Sequence, residues 1–284
     1  GNIMRIYNSL TDKLEEFKPI KEGQVSMYVC GPTVYNYVHI GNMRPAITFD
    51  MVRNYLEYLG YKVTYASNFT DINPKIIKAA QELGMTERKV ANKFIKAYLD
   101  DLASYQCGKI DIHPTVLENL DNIYAFIQKL IEKGYAYEVD GDVYFRVSKI
   151  KDYGCLSNNT LDELESGARL EIDEKKEDPL DFALWRKSTE GEHFTSPWGE
   201  GIPGWHTECV VMINSIFGEK IDIHGGGVDL KFPHHENEIA QSMALNNNHL
   251  ANYWMHNGHI NVEGVKMSKS LGNFILAKDF IKNS

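Results

Sequence analysis

The amino-acid sequence predicts an α/β fold, in which a mostly parallel sheet has helices on both faces and is interrupted by an inserted α+β connective segment. Two observations carry this prediction. Strand and helix patterns alternate near the beginning of the chain, and the same alternation returns after a polar, charge-dense middle. With 284 residues, 43% hydrophobic and 24% charged, the chain has the composition of a globular protein with one or two packed cores.

The first strand–helix–strand unit lies within residues 23–67. The apolar run Val25–Cys30, between two glycines, is typical of a buried strand, and Lys62–Ser67 alternates as a second strand does. The helix pattern between them has apolar residues at four-residue spacing: Ile47, Met51, Tyr55 and Leu59. Ligands of such sheets bind beyond the carboxyl ends of the strands, so we expect a site after these two runs.

The middle of the chain has a different pattern. Thr86–Tyr105 and Leu117–Lys133 are amphipathic helix patterns, and Tyr135–Val147 predicts a β-hairpin that turns at an Asp-Gly pair. The polar segment that follows contains the charge run Glu171–Asp178, which is typical of a solvated surface. We interpret residues 115–195 as an insertion.

The α/β pattern then resumes. Thr207–Phe217 and His234–Leu245 are helix patterns, while Ile221–His224 and Tyr253–Val262 contain strands. The sequence thus divides into four regions: 1–114 and 196–262 as the two halves of the α/β domain, 115–195 as the insertion, and 263–284 as a polar loop with the start of a truncated helical region.

Composition excludes several classes of protein. The chain has 30 Lys and Arg and 39 Asp and Glu, which gives a net charge of −9. A nucleic-acid partner must therefore be bound by local patches or by another part of the protein. No apolar run approaches the roughly 20 residues of a membrane span and no signal segment begins the sequence, so we expect a cytoplasmic protein without membrane contact. The four cysteines contain no CxxC pair, and a cytoplasmic chain of this size needs no disulfide.

The histidines are concentrated in one part of the sequence, where eight of the ten follow residue 190. His234 and Glu238 are four apart on a helix pattern, so both leave one face, a common half of a zinc site. Two further ligands are needed, and the thiolates of Cys30, at a strand end, and Cys209, on a helix, are candidates. Buried core thiols are the alternative for both. Two other cysteines, in or near the insertion, are interpreted as inert: Cys107 and Cys155.

Two short motifs suit a polyphosphate. His39–Asn42 (HIGN) lies at a strand-to-helix junction, where helix amides and an imidazole can meet phosphate. Lys266–Ser270 (KMSKS) places two ammonium groups on a polar loop, where they can neutralise a leaving pyrophosphate. A solvated surface loop is the alternative for KMSKS alone, but the two motifs together indicate nucleotide chemistry.

The HIGN and KMSKS pair resembles the two signatures of the class I aminoacyl-tRNA synthetases. The surrounding strings are similar to those of the cysteinyl-tRNA synthetases in particular: MYVCGPTVY, NFTDINPKIIKAA, PGWHTEC, DIHGGGVDLKFPHHENEIAQS, and NYWMHNGHI before KMSKSLGN. The resemblance extends along essentially the whole chain and implies a Rossmann-like catalytic domain.

The resemblance also implies roles for individual residues. Those matching the zinc ligands of the family, with one Zn²⁺ per chain, are Cys30, Cys209, His234 and Glu238. Those implied to bind the amino acid are Gly31, Thr70 and Trp205. Those implied to bind nucleotide are His39, Gly41, Asn42, Gly225, Gly226, Gly227, Asp229 and Lys269, and the catalytic set is His39, Asn42, Lys266 and Lys269. The first signature of the family usually ends in His, and the Asn42 that stands there donates a hydrogen bond but carries no charge.

The activity implied is that of the family: L-cysteine and ATP, with Mg²⁺, form cysteinyl-adenylate and pyrophosphate, and the cysteine then passes to tRNA(Cys). Zinc is expected to select cysteine over serine, because an apolar pocket separates such analogues by only about 1–3 kcal/mol. We expect the anticodon-binding region to lie outside this chain. Two other interpretations stay open: a ligase that passes activated cysteine to a small amine, as in mycothiol biosynthesis, and a non-catalytic zinc- or nucleotide-binding module.

Overall fold

The computed structural model describes residues 4–159, 163 and 173–257, and the backbone of 262–264. The strands are β1 (Met4–Asn8), β2 (Lys13–Glu16), β3 (Gln24–Val29), β4 (Lys62–Ser67), β5 (Ala136–Val139), β6 (Asp142–Phe145), β7 (Phe182–Lys187), β8 (Phe194–Ser196), β9 (Gly199–Pro203), β10 (Ile221–Gly226), β11 (Ala251–His256) and β12 (Val262–Gly264). The helices are α1 (Arg44–Tyr58), α2 (Pro74–Leu83), α3 (Glu87–Ser104), α4 (Leu120–Glu132), α5 (Trp205–Phe217) and α6 (Glu236–Asn246). No described helix combines the length and the apolar character of a membrane span.

Four parallel strands form the central sheet, in the order β11–β10–β3–β4. Their registers align the carboxyl ends, because Val29 of β3 lies opposite Gly225 of β10 on one side and Ser67 of β4 on the other. Connections that contain helices join these strands, as parallel pairing requires. The predicted α/β class and parallel sheet are confirmed, and β4 has the bounds that its alternating pattern predicts.

Helices cover both faces of the central sheet, because successive side chains of a strand point to opposite sides. On one face, Met27 of β3 packs in a buried cluster with Phe49 of α1. On the other face, its neighbour Tyr28 belongs to a cluster that includes Met212 of α5 and Ile239 of α6. Each fully buried side chain of this size stabilises the fold by about 1.5–3 kcal/mol, so both helical layers are held by apolar packing.

Strands β5 to β9 form a separate antiparallel sheet, in the order β5–β6–β7–β9–β8. Its first hairpin turns at Asp140 and Gly141, whose positive φ angles of 50° and 90° fit the tight turn that an Asp-Gly pair predicts. Trp185 of β7 lies in the same buried cluster as the α5 side chains, which anchors this sheet on the central one. Strand β8 spans residue 195 and β9 follows it, so the sheet continues beyond the predicted end of the insertion.

The structure also contains elements that the sequence patterns do not predict. β1, β2 and β12 form a small antiparallel sheet, β7 to β9 complete the inserted sheet, and α2 follows β4. The strands among them have three to six residues. β10 runs to Gly226, two residues beyond the strand Ile221–His224 that the sequence pattern predicts.

Gly225 is required by the close packing of α1 on the central sheet. A Cβ built there would lie 2.3 Å from two ring carbons of Phe49. We expect Gly225→Ala to lower the free energy of unfolding by about 1–3 kcal/mol, the usual cost of overpacking a core. The matched control is Gly108→Ala, whose Cβ would meet no atom closer than 3.9 Å. Denaturant unfolding measures both variants, and equal free energies would contradict the packing argument.

Candidate metal centre and nucleotide cavity

A cluster of possible metal ligands lies where the carboxyl end of β3 meets the beginnings of α5 and α6. Cys30 directly follows β3, and Cys209 lies in the second turn of α5. His234 and Glu238 are four residues apart, where the segment Lys231–His235, which is extended at Phe232, leads into α6. Cys209, His234 and Glu238 are each at most 1% exposed. The structure therefore brings together the four residues whose side chains the sequence proposes as ligands.

The ligand atoms converge on one point. The Sγ of Cys30 is 3.3 Å from the Sγ of Cys209 and 3.7 Å from the Nε2 of His234. Oε2 of Glu238 lies 3.7 Å from that Cys30 sulfur and 3.0 Å from Nε2 of His234, and all four atoms lie within 4.8 Å of one another. Bonds of about 2.0–2.3 Å to a tetrahedral zinc ion correspond to ligand separations of roughly 3.3–3.8 Å. The donor types and their spacing both fit zinc.

Neighbouring groups shift the pKa values of the side chains in this buried cluster. Burial opposes ionisation of Glu238, but His224 and His234 outweigh burial and hold the pKa of Glu238 well below its usual value. Burial likewise opposes protonation of His234, yet Glu238 and Cys209 raise the pKa of His234 to about 10. Burial raises the pKa of Cys30, whereas for Cys209 burial is outweighed by the Cys30 thiol and His234, which lower its pKa to about 6. A thiolate and a carboxylate are the forms that bind a cation.

Two further histidines orient the ligands. Nδ1 of His206 lies 3.0 Å from Nδ1 of His234, and Nε2 of His224 lies 2.7 Å from Oε1 of Glu238. These contacts turn Nε2 of His234 and Oε2 of Glu238 towards the cysteine sulfurs, as partners behind metal ligands commonly do. Sequence reasoning missed His206 and His224, although the concentration of histidines after residue 190 is a signal that could have found them.

A second donor set shares two side chains with the first: Cys30, His224, His235 and Glu238 also come within 4.8 Å. Nε2 of His235 is 3.5 Å from the Cys30 sulfur but 3.9 Å from Oε2 of Glu238. His224 already directs its Nε2 at Oε1 of Glu238, and this set contains one cysteine sulfur where the first contains two. Because zinc favours thiolate and imidazole ligands, the first set is the better site.

A cavity of about 870 Å³ adjoins the cluster and is lined by Cys30. Other residues that the sequence assigns to the amino acid or the nucleotide line it as well: Gly31, His39, Gly41, Asn42, Trp205, Gly227 and Asp229. The indole of Trp205 is 39% exposed and stacks on the His234 ring with 3.9 Å between centroids, so it links the cavity to the ligand cluster. A cavity of this size is typical of small-molecule and nucleotide sites.

The HIGN segment forms a short turn that leads into α1. Nδ1 of His39 accepts a hydrogen bond from the amide of Gly41 at 3.2 Å, and the amide of Asn42 donates to the His39 carbonyl at 2.8 Å. His39 and Asn42 are exposed and line the cavity at the beginning of α1. Polar donors at a helix N-terminus favour an anionic ligand, so this edge of the cavity suits phosphate.

Thr70 and Gly31 lie on different sides of the cavity wall. Thr70 is buried, its hydroxyl donates to Glu208 at 3.1 Å, and it lies behind the cavity rather than in its lining. Gly31 lines the cavity, and a Cβ there would lie 1.7 Å from the carbonyl oxygen of Asn68. Only glycine permits this approach between the β3 and β4 loops.

The three consecutive glycines after His224 differ in their position and in what a side chain there would contact. Gly225 and Gly226 lie inside β10 and outside the cavity lining, where Cβ atoms would meet the rings of Phe49 and His235. Gly227 alone lines the cavity. The two KMSKS side chains with a predicted role, Lys266 and Lys269, lie outside the described residues.

Comparison with known protein families identifies the family of this chain. A family model described as "tRNA synthetases class I (C) catalytic domain" matches residues 16–284. The chain belongs to this family. The resemblance drawn from the HIGN and KMSKS strings is confirmed, and with it the class I tRNA synthetase assignment.

Curated relatives agree with this assignment. The chain is 60% identical over 280 residues to a cysteine–tRNA ligase of Anoxybacillus flavithermus, and 59% identical over 280 residues to a cysteine–tRNA ligase of a Geobacillus species. Each alignment covers 98% of this chain and 60% of the relative. The chain therefore spans about 60% of the length of the curated relatives it matches.

Solved structures share the fold. A Mycobacterium tuberculosis methionyl-tRNA synthetase in complex with methionyl-adenylate superposes with a TM-score of 0.63 at 13% identity, over 88% of this chain and 60% of that chain. A putative arginyl-tRNA synthetase from Campylobacter jejuni gives a TM-score of 0.54 at 15% identity, over 84% of this chain and 55% of that chain. The predicted Rossmann-like fold is confirmed by these likenesses.

The two donor sets can be distinguished by substitution, because only the first contains His234 and only the second contains His235. We expect His234→Gln to weaken zinc binding by more than about 100-fold. That is more than the loss expected when the residue removed is only hydrogen-bonded to a metal ligand. His235→Gln is expected to retain one zinc per chain. Zinc content after dialysis against graded chelator measures both, and the reverse pattern would move the site to the second set.

The sulfur ligand has its own matched pair. Cys209 and Cys107 are both buried thiols, but only Cys209 lies in the ligand cluster. Cys209→Ala is expected to lose zinc and Cys107→Ala to keep it, because zinc needs all its strong ligands to hold against a chelator. Retention of full zinc content by Cys209→Ala would remove this residue from the donor set.

Proposed function

We propose that the chain activates L-cysteine with ATP, forming cysteinyl-adenylate and pyrophosphate, and passes the cysteine to tRNA(Cys). The observation that carries the proposal is that a donor cluster with two sulfurs and the HIGN segment border one cavity of about 870 Å³. An enzyme that joins a thiol amino acid to a nucleotide needs a sulfur-selective region and a phosphate-binding region side by side. Membership of the family and relatives named cysteine–tRNA ligase support the same activity.

Cys30, Cys209, His234 and Glu238 would hold one zinc ion, since their donor atoms all lie within 4.8 Å of one another and are of the types that zinc prefers. When bound, zinc supplies a site that prefers a thiolate to a hydroxyl, and so selects cysteine where an apolar pocket would separate serine by only about 1–3 kcal/mol. The protein orients the amino acid around that site. The Trp205 indole forms the wall beside it.

The first step needs no nucleophile from the protein, because the carboxylate of the substrate attacks the α-phosphorus of ATP. Positioning and electrostatic stabilisation then supply the rate enhancement. We propose that His39, Gly41 and Asn42 bind the triphosphate, which carries Mg²⁺. Lys266 and Lys269 neutralise the charge that develops on the leaving pyrophosphate.

The nucleoside is proposed to lie along Gly227 and Asp229. A Cβ on Gly227 would lie 2.4 Å from Oδ1 of Asp229, so glycine lets this carboxylate reach the cavity. Gly225 and Gly226 act behind them as packing residues of β10. Thr70 lies behind the wall of the cavity. We propose that it supports the part of the wall that contacts the amino acid, through the hydrogen bond that its hydroxyl donates to Glu208.

The acceptor is proposed to be tRNA(Cys) in the cytoplasm, with anticodon recognition by a region outside this chain. Relatives named as tRNA ligases favour this acceptor over the small amine of the alternative ligase. The two acceptors can be compared directly, because transfer from the same cysteinyl-adenylate to tRNA or to an amino sugar gives different products.

Exchange of labelled pyrophosphate into ATP tests the activation step. We expect exchange by the zinc-loaded chain to require cysteine and to be more than about 100-fold slower with serine, beyond the discrimination of an apolar pocket. Removal of zinc is expected to abolish the preference for cysteine. Exchange that proceeds without cysteine, or equally well with serine, would contradict the proposed function.

A further inference from the structure

We infer that the chain has a further, exchangeable zinc site, which is formed by Asp152, Cys155 and His249. Their ligand atoms are a carboxylate oxygen, a cysteine sulfur and an imidazole nitrogen, and all three lie within 4.8 Å of one another. We call these residues the outer triad. The outer triad shares no residue with either donor set described above and does not line the reaction cavity, so the inference does not depend on the proposed activity.

Two of the donors lie on one turn of the chain, several residues after β6. The amide of Cys155 donates a hydrogen bond to the carbonyl of Asp152 at 2.9 Å, which closes a turn between residues three apart. Such a turn brings the first and the last residue within about 7 Å of each other. Both side chains can therefore reach one ion, and the spacing Asp-x-x-Cys is the local signal for this half of the site.

The buried carboxylate of Glu236 fixes this turn against the beginning of α6. It accepts hydrogen bonds from the amide of Ser157 at 3.1 Å, from the hydroxyl of Ser157 at 2.9 Å and from the amide of Leu156 at 3.3 Å. The sulfur of Cys155 lies 3.7 Å from the same carboxylate. Glu236 therefore holds the cysteine in place from behind, as residues that support metal ligands commonly do.

The third donor comes from the loop after α6. Nε2 of His249 lies 2.7 Å from Oδ2 of Asp152, although the two residues are 97 positions apart. The carbonyl of His249 accepts a hydrogen bond from the indole nitrogen of the fully buried Trp254 at 3.1 Å, so the core fixes the backbone that carries the imidazole. Zinc bonds of about 2.0–2.1 Å correspond to a separation of roughly 3.3 Å between nitrogen and oxygen ligands. Binding of an ion thus opens this contact slightly, which two partly exposed side chains permit.

The donor types of the outer triad select the ion. Sulfur, imidazole and carboxylate together suit zinc, whereas Mg²⁺ and Ca²⁺ prefer oxygen ligands. Three protein ligands leave the fourth tetrahedral position to water. The side chains of Asp152 and His249 are 39% and 37% exposed, so an ion can enter and leave. We therefore expect weaker binding than in the buried cluster, and dialysis against a chelator empties the outer triad first.

A partly exposed pair of histidine and carboxylate is not by itself a metal site, and the chain contains a second pair for comparison. Nδ1 of His193 lies 2.9 Å from Oε1 of Glu200, and both side chains are partly exposed. No third donor joins that pair within the part of the chain that the structure describes. The sulfur of Cys155 is what distinguishes the outer triad from an ordinary surface ion pair.

Equilibrium dialysis of the chain against buffers of graded free Zn²⁺ tests the inference. We expect two zinc ions per chain, the tighter one in the buried cluster and the weaker one in the outer triad. Cys155→Ala and His249→Gln are each expected to weaken the second ion by more than about 100-fold and to leave the first unchanged, because loss of a ligand costs more than loss of a supporting residue. Excess Mg²⁺ is expected to displace neither ion.

Matched variants control for the loss of a thiol or of a histidine elsewhere. Cys107→Ala removes a buried thiol outside every donor set, and His193→Gln removes the histidine of the comparison pair. Both variants are expected to bind two zinc ions. Co²⁺ adds a spectroscopic measurement, because a cobalt–thiolate bond absorbs by charge transfer. The second equivalent of Co²⁺ is expected to increase this absorption in the unsubstituted chain but not in Cys155→Ala.

Three results would overturn the inference. The first is a single zinc ion per chain at every concentration of free Zn²⁺. The second is a second ion that persists in both Cys155→Ala and His249→Gln, which would assign it to other residues, such as the donor set that contains His235. The third is a second equivalent of Co²⁺ that binds without an increase in thiolate absorption.

Discussion

A fully buried carboxylate, that of Glu238, organises the site and the elements around it. Its two oxygens lie 2.7 Å from Nε2 of His224 and 3.0 Å from Nε2 of His234, and Cys30, 208 residues away in sequence, lies 3.7 Å from it. Leaving such a charge without its partners costs about 3–5 kcal/mol. The donor cluster forms only when β3, β10, α5 and α6 are assembled, so folding of the central sheet and construction of the ligand cluster are coupled.

The antiparallel sheet of strands β5 to β9 contributes to the geometry of this cluster through the start of α5. Gly204 precedes Trp205, and a Cβ on Gly204 would lie 2.0 Å from the carbonyl oxygen of Ala183 in β7. The inserted sheet therefore fixes where α5 begins. Four residues later the same helix supplies Cys209, so one rigid element holds both the cavity wall and a sulfur ligand. The amino-acid pocket and the candidate metal centre keep a constant relation to each other for this reason.

Local signals account for what the sequence predicts, and long-range contacts account for what it misses. The alternating pattern of Lys62–Ser67 and the four-residue spacing of His234 and Glu238 are local, and the structure agrees with both. The contacts of His206 and His224 with the ligands depend on tertiary packing, which no spacing reveals. α2 is a different case, because the sequence does contain local signals for it. Asn73 caps its beginning and Gly84 ends it, but a prediction from apolar spacing alone does not take such capping residues into account.

Net charge is a poor guide to the partners of this chain. Its charge of −9 argues against a polyanionic substrate, yet the proposed reaction uses ATP and tRNA. At physiological ionic strength charges are screened over about 8 Å, so distant carboxylates add little potential at a binding surface. What a phosphate meets is local, as at the beginning of α1 beside His39. Composition averages over such surfaces and does not reveal the local charge that a ligand meets.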